Sequence, residues 1–376
     1  MSWQRFAWPL VVAMIVSAPP IAFAQPAVEG FVQPIQARVA DVTLSASGIA
    51  WQGEVKVDSS ASFFRLHFTE IAVNGDADFA VVVRNVAGRV LASISRRDFT
   101  ARGDYWSPYL FGHYALVELV PAEAAPNTKI AFRISEVGIE TQGARLLNRQ
   151  NDNDPKDLPL WRFQTNAPLM AAARAVAKLR YTRNQILYSC TGFLLTDDLL
   201  LTNQHCVRSN ADCATAVAQF GYKEDKARNI DLGEEYACER LEDSDAGLDF
   251  ALLRLKGTPG SKWGKLKWRS IPIPSNAAIF LVQHPSGRPM RVAREGCLIK
   301  TASAIGSLPG QETDVGHTCD TESGSSGSPL FDQRFQVVAL HHLGFDNVDP
   351  RWAKENRAIQ APILSRRLAP FLQPPH

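Results

Sequence analysis

Short apolar and alternating runs recur through the first half of the chain, from about Ala37 to Ile139: Phe63 to Phe68, Phe79 to Val83, Val90 to Ile94, Tyr114 to Leu119 and Lys129 to Ile134. Runs of this length at regular intervals predict strands, and their succession predicts an all-β sandwich. Val86-Ala87-Gly88, between two of them, reads as a hairpin turn. From Gln142 to Pro159 the pattern lapses into Asn, Asp, Arg and Pro, a stretch that buries little and reads as a linker. The Ala-rich run from Pro168 to Leu179 fits either a helix or a strand entering the next unit. Short strands then return at Gly192 to Leu195, Leu199 to Thr202, Phe250 to Leu255, Ala278 to Val282 and Gln336 to His342. At the end, apolar positions 363, 364, 368 and 371 have the spacing of a short helix. The reading is all-β: a sandwich at 25–141, a linker at 142–167, and a second domain at 168–376 built of antiparallel barrels closed by one helix.

The first 24 residues break from this pattern. Arg5, an apolar stretch from Leu10 to Val16 and a small-residue site at Ala22-Phe23-Ala24 predict a signal peptide at 1–24, with the mature chain beginning at Gln25. Pro9, Pro19 and Pro20 interrupt the stretch and argue against an anchor, and no other segment is apolar enough to span a bilayer. The expected location is periplasmic or secreted. The composition supports two cores, with 376 residues of which 45% are hydrophobic. A net charge of +2 without any polybasic run excludes the usual signature of nucleic-acid binding and points to protein, peptide or small-molecule partners. All the cysteines (190, 206, 213, 238, 297 and 319) fall in the second half, where export would allow disulfides. Sequence alone leaves their connectivity open, and no Cys-x-x-Cys spacing supports a metal site.

Three segments carry candidate chemistry. Thr202-Asn203-Gln204-His205-Cys206 follows an apolar run and places His205 at a strand end, where a general base would face a cleft, although a lone histidine is more often structural. Asp249 opens the apolar run Phe250 to Leu255; a carboxylate buried there needs a donor, and a histidine N–H is a good one. Gly324-Ser325-Ser326-Gly327-Ser328-Pro329 has the composition of a flexible loop but runs directly into a strand. Read as a nucleophile loop, it uses Gly324 to let its own N–H and that of Ser326 converge on one oxyanion, while Gly327 leaves room behind Ser326.

In the order His, Asp, Ser, these segments resemble the trypsin and chymotrypsin superfamily, most closely the bacterial branch that includes the glutamyl endopeptidases. The likeness covers roughly Pro168 to Phe371 and not the N-terminal domain. An α/β-hydrolase would run Ser, Asp, His, and subtilisins begin with Asp. The resemblance implies a two-barrel serine endopeptidase with His205, Asp249 and Ser326 as the triad, the backbone of Gly324 and Ser326 as oxyanion donors, and no metal or organic cofactor. It also implies a bridge between Cys190 and Cys206 that clamps the hairpin presenting His205, with Cys297–Cys319 and Cys213–Cys238 completing the set. Ser325 stands where animal trypsins keep the aspartate that captures a freed N-terminus, so that activation switch cannot operate here.

For specificity the resemblance offers two readings. Asp320, six residues before Ser326, sits where trypsins hold Lys or Arg. Thr321 and His341 match the threonine and histidine with which glutamyl endopeptidases hold a glutamate side chain, and favour cleavage after acidic residues. His342 should face the other side of its strand from His341. A homologue that only binds protein or glycan, and an N-terminal region acting as an inhibitory prosegment, are the alternatives to an active enzyme with a retained accessory domain.

Overall fold

In the computed structural model, residues 26–45, 48–59, 61–100, 103–141, 157–308, 310–344 and 355–372 are described. The expected signal peptide at 1–24 lies outside them.

The N-terminal unit is a sandwich. One sheet places Trp51–Lys56, Tyr114–Pro121, Phe79–Arg84 and Val90–Ser95 side by side. The other is built on Ala27–Leu44, Ala125–Thr141 and Ala61–Asn74. Alternation explains the layering: Phe79, Val81 and Val83 are buried while the residues between them are less so, and they share one core with Phe64, Leu66, Phe68, Phe99 and Phe132.

The second unit opens with a closed barrel of six antiparallel strands. Val176–Arg183, Val217–Phe220, Glu234–Asp245, Phe250–Leu255, Leu199–Thr202 and Ile186–Leu194 follow one another around it, and Ile186–Leu194 pairs back onto Val176–Arg183 to close it. Closure removes the sheet edges and lets side chains such as Leu179, Phe193, Leu201 and Leu253 fill the interior. A second sheet of eight strands curves against it without closing. The chain ends in the helix Ala361–Leu372, whose Leu364 and Leu368 are buried in the same core as the first barrel.

One boundary differs from the sequence reading, and one ambiguity is resolved. Residues 157–167, expected as linker, belong to the second unit: Asp157–Pro159 pairs with Arg291–Ala293 at the edge of the eight-stranded sheet. The cause is ionic, since the Asp157 carboxylate lies 3.2 Å from Arg291 and 3.4 Å from Arg288. The ambiguous run from Pro168 to Leu179 is both things in turn, the helix Ala167–Arg174 followed by the strand Val176–Arg183.

The two units are also joined through backbone. Ala27–Leu44 pairs with Ile186–Leu194 at its N-terminal end and with Ala125–Thr141 along the rest, so one sheet runs from the sandwich into the barrel. The disulfides Cys190–Cys206, Cys213–Cys238 and Cys297–Cys319 are those the resemblance implied.

Candidate active site

His205 follows the barrel strand Leu199–Thr202, and Asp249 sits in the tight connection between Glu234–Asp245 and Phe250–Leu255. Because Leu199–Thr202 and Phe250–Leu255 are paired, with Thr202 opposite Ala251, the two side chains emerge at the same end of the barrel. Asp249 adopts φ 50°, a left-handed conformation that Asp tolerates better than most residues. Three hydrogen bonds from the Asn203–His205 segment hold it there. Its Oδ1 accepts the His205 backbone N–H at 2.9 Å, its Oδ2 lies 2.8 Å from His205 Nδ1, and its carbonyl accepts Asn203 Nδ2 at 2.9 Å. With Nδ1–H committed to a carboxylate, a neutral His205 presents the lone pair of Nε2, which is what a general base requires.

Ser326 comes from the second sheet, in the loop before Pro329–Phe331. The loop is pinned to the first barrel: Thr191 N–H donates to Ser326 O at 2.8 Å, and Thr191 Oγ1 donates to Gly324 O at 2.9 Å. It is pinned equally to its own sheet, where Gly327 N–H reaches His341 O and His341 N–H reaches Ser328 O, both at 2.9 Å. Gly327 is obligatory on two counts. Its φ is +86°, and a Cβ there would lie 2.0 Å from Thr191 O. Ser325, in place of an aspartate, closes a local turn, accepting Glu322 N–H at Oγ and donating its own N–H to Glu322 O, each at 3.0 Å.

Of the specificity candidates, Asp320 and Thr321 lie in the connection between Asp314–His317 and Pro329–Phe331, and His341 lies on the strand Val337–Leu343. Asp320 is half-buried and its carbonyl accepts Gln283 Nε2 at 3.0 Å; Thr321 is buried. His341 Nδ1 lies 3.1 Å from Nε2 of His317, a residue the sequence reading did not single out. The Nδ1 of His317 accepts the Cys319 N–H at 3.3 Å, so His317 carries its proton on Nε2 and donates to His341. That order places the proton of His341 on its Nε2. Burial, then the neighbouring His317 and His342, pushes His341 well below the ordinary histidine range. Burial, with His342 and Arg357 nearby, brings His317 down to about 3.

His342 was expected to turn away from His341, and the two histidines do have different partners. His342 Nδ1 is 3.3 Å from Asp249 Oδ2, and its Nε2 is 2.6 Å from Asp314 Oδ2. Burial alone would depress it, but Asp314 and Asp249 raise it to about 9. Burial alone would likewise raise the Asp249 carboxyl; His205 and His342 instead hold it below the ordinary carboxylate range. Nothing along the chain marks Asp314 beyond a carboxylate at the start of a buried strand. Cys190, His205 and Cys206 are grouped closely enough to suggest a metal site. Their chemistry is otherwise, because the two sulfurs are joined to each other and His205 Nδ1 is engaged by Asp249.

These shifts make stability depend on pH in both directions. The stability that the raised pKa of His342 contributes is complete below about 6.5, the unfolded value, and is lost as pH rises through about 9. His284, which burial lowers to about 3, and His317 contribute stability that is complete above about 6.5 and is lost as pH falls toward 3. The melting temperature should therefore peak near neutrality and decline on both sides between pH 4 and 10; a monotonic profile would contradict the buried charge states.

Comparison with known proteins accords with this geometry. Residues 190–340 match the family described as trypsin-like peptidase domain. Among curated proteins, the secreted RxLR effector protein 73 of Plasmopara viticola is 25% identical over 312 residues, 76% of each chain. The lysyl endopeptidase of Pseudomonas aeruginosa is 26% identical over 273 residues, which are 65% of this chain and 57% of that protein. Among solved structures, the active form of the Rv3671c protease of M. tuberculosis superposes with a TM-score of 0.43 at 21% identity, covering 59% of this chain and 93% of the other. With a closed six-stranded barrel, a second curved sheet and a family match that spans both the His205 and Ser326 segments, residues 190–340 carry a trypsin-like peptidase domain, which makes the protein a serine endopeptidase.

Proposed function

We propose that this protein is an exported serine endopeptidase in which Ser326 is the nucleophile, His205 the general base and then acid, and Asp249 the group that orients His205. The observation that carries the reading is the buried His205–Asp249 pair, with Nδ1 at 2.8 Å from the carboxylate, on the same barrel that anchors the Ser326 loop. In the first step Ser326 Oγ adds to the scissile carbonyl as its proton passes to His205 Nε2. The resulting imidazolium protonates the departing amine, and water then cleaves the acyl-enzyme by the same path in reverse.

Two features support oxyanion donors at Gly324 and Ser326. The carbonyl of Ser323 accepts Ser286 N–H at 2.6 Å, and that of Ser325 accepts Ser328 N–H at 3.0 Å. Since no peptide is cis among the described residues, the N–H groups of Gly324 and Ser326 are directed away from those two donors. Gly324 has φ +89°, which leaves this turn to glycine. Three disulfides fit an oxidising compartment, as does the name of the secreted relative.

For specificity we favour cleavage after acidic residues. The His317-to-His341 hydrogen bond makes His341 Nε2–H a prepared donor to a carboxylate, and Thr321 is buried in the connection that leads into the Ser326 loop. A donor of this kind recognises Glu or Asp even as a neutral imidazole, and the arriving carboxylate would raise its proton affinity. Preference for Lys or Arg through Asp320 is the second reading, favoured by the relative named lysyl endopeptidase. Peptides that differ only in Glu, Lys or Phe before the scissile bond decide between them. A Glu preference lost in His341→Ala is expected; a Lys or Arg preference lost in Asp320→Ser and kept in His341→Ala would establish the other.

A further inference from the structure

The residue that most needs explaining is His342. It is 1% exposed, as is Asp249, and Asp314 is fully buried. Each of its ring nitrogens faces a carboxylate oxygen, Nδ1 toward Asp249 and Nε2 toward Asp314. Carboxylates only accept, so both nitrogens must donate, and an imidazole that donates twice is an imidazolium. The raised pKa of His342 agrees with this geometry. The fold builds the arrangement deliberately: register slips between His341 and Leu343 where Val337–Leu343 pairs with Asn356–Gln360, an irregularity that re-aims side chains. Asp314 lies on the strand Asp314–His317, which flanks Asn356–Gln360 on its other side, and its Oδ1 is held at 2.9 Å by the Thr313 hydroxyl.

We propose that His342 is a positioning residue of the catalytic centre, a protonated bridge between Asp314 and Asp249 that fixes Asp249 Oδ2 against His205 Nδ1. The proposal rests on the triad assigned above. It gives Asp249 three donors: the backbone and side-chain N–H groups of His205, and His342 Nδ1–H. A carboxylate tied at three points cannot rotate away when His205 gains and loses its proton, and the imidazole keeps one orientation through the cycle. The positive charge has a second effect. Lying beside Asp249, it offsets part of the carboxylate's field at His205, and its removal should move the acidic limb of the rate profile upward. The other groups facing His342 do not supply this charge: Asp249 and Asp314 are carboxyl groups with no cationic form, His317 and His341 are held neutral by burial, and His205 is the base itself.

The test is the double variant His342→Gln with Asp314→Asn, which keeps hydrogen-bonding groups at both positions while removing both charges. It should melt near the wild-type temperature and still react with a fluorophosphonate. Its kcat should fall about tenfold with KM little changed, and the acidic limb of its rate profile should move up by about one pH unit. A folded double variant with wild-type kcat and an unmoved limb would refute the proposal. Should it fail to fold, ring ¹⁵N resonances of the wild-type protein at pH 7.5 decide the matter. Two protonated nitrogens on His342 are required, and a neutral tautomer overturns the bridge. A wild-type chain unreactive toward the fluorophosphonate would instead sink the triad assignment, a separate result from either of these.

Discussion

Ser326→Ala will reduce kcat/KM for a cleavable peptide by about a millionfold while leaving the fold intact, because nucleophile and base act as a unit and loss of either removes nearly the whole benefit. The fold should survive because the Ser326 main chain, not its hydroxyl, carries the tether: Thr191 N–H donates to Ser326 O at 2.8 Å, and the neighbouring Gly327 N–H to His341 O at 2.9 Å. An alanine at this buried position keeps both bonds and adds no volume. Steady-state kinetics beside a thermal melt make the check. Activity within tenfold of wild type would disqualify Ser326 as nucleophile, and with it the functional reading of the glycines around it. His205→Ala should give a loss of similar size, since a serine hydroxyl without its base is a poor nucleophile.

The parts of this site that could be read from the sequence are those whose chemistry is local. A histidine at a strand end, an aspartate heading an apolar strand and a glycine-flanked serine each need only their immediate neighbours to be recognised. The three strands adjoining them, Leu199–Thr202, Phe250–Leu255 and Pro329–Phe331, are apolar except for Thr202 and Arg254, and all but Arg254 are buried as that pattern requires. What could not be read is created by pairing between distant segments. Asp314 and His317 gain meaning only because their strand lies one strand away from His341 and His342, a relation no spacing along the chain encodes. Asp157 looked like linker for the same reason, since a carboxylate among polar residues reads as solvated until Arg288 and Arg291 are seen beside it. Lys178 and Arg180 are the clearest case. They occupy alternate positions of a strand, where charges ordinarily mark the solvent face, yet both are fully buried. The partner that covers that face is the sandwich.

This cover is the basis of a second large effect. Glu29, on the first strand of the sandwich, lies 2.5 Å from Lys178 Nζ and 3.4 Å from Arg180 Nε. Glu140 approaches Arg180 at 3.5 Å from a neighbouring strand of the same unit, and the Arg180 guanidinium stacks 3.8 Å from the ring centre of Tyr109. Within the barrel itself Glu235, 3.6 Å from Arg180, is the only carboxylate paired with these cations among the described residues. Desolvation presses Glu29 upward and Lys178 downward, and each opposes the shift of the other. Such a cluster adds little net stability when complete, but removing one carboxylate leaves a buried cation uncompensated, at a cost of about 3–5 kcal/mol. Glu29→Ala should therefore lower the unfolding free energy by about that amount, read from the denaturant midpoint, with Glu29→Gln retaining the packing but not the charge. Activity should fall with it. Glu29 packs against the Pro285–Gly287 turn, whose Ser286 N–H holds the Ser323 carbonyl at the start of the nucleophile loop, and Ala27 packs against Gly324 itself. A removable inhibitory segment would behave in the opposite way. A chain beginning at Asp157 that folded, melted like the intact protein and cleaved peptides at an equal or higher rate would show the sandwich to be such a segment. The pairing of Ala27–Leu44 with Ile186–Leu194 and the stranded charges of Lys178 and Arg180 lead us to expect that this truncated chain neither folds stably nor turns over substrate.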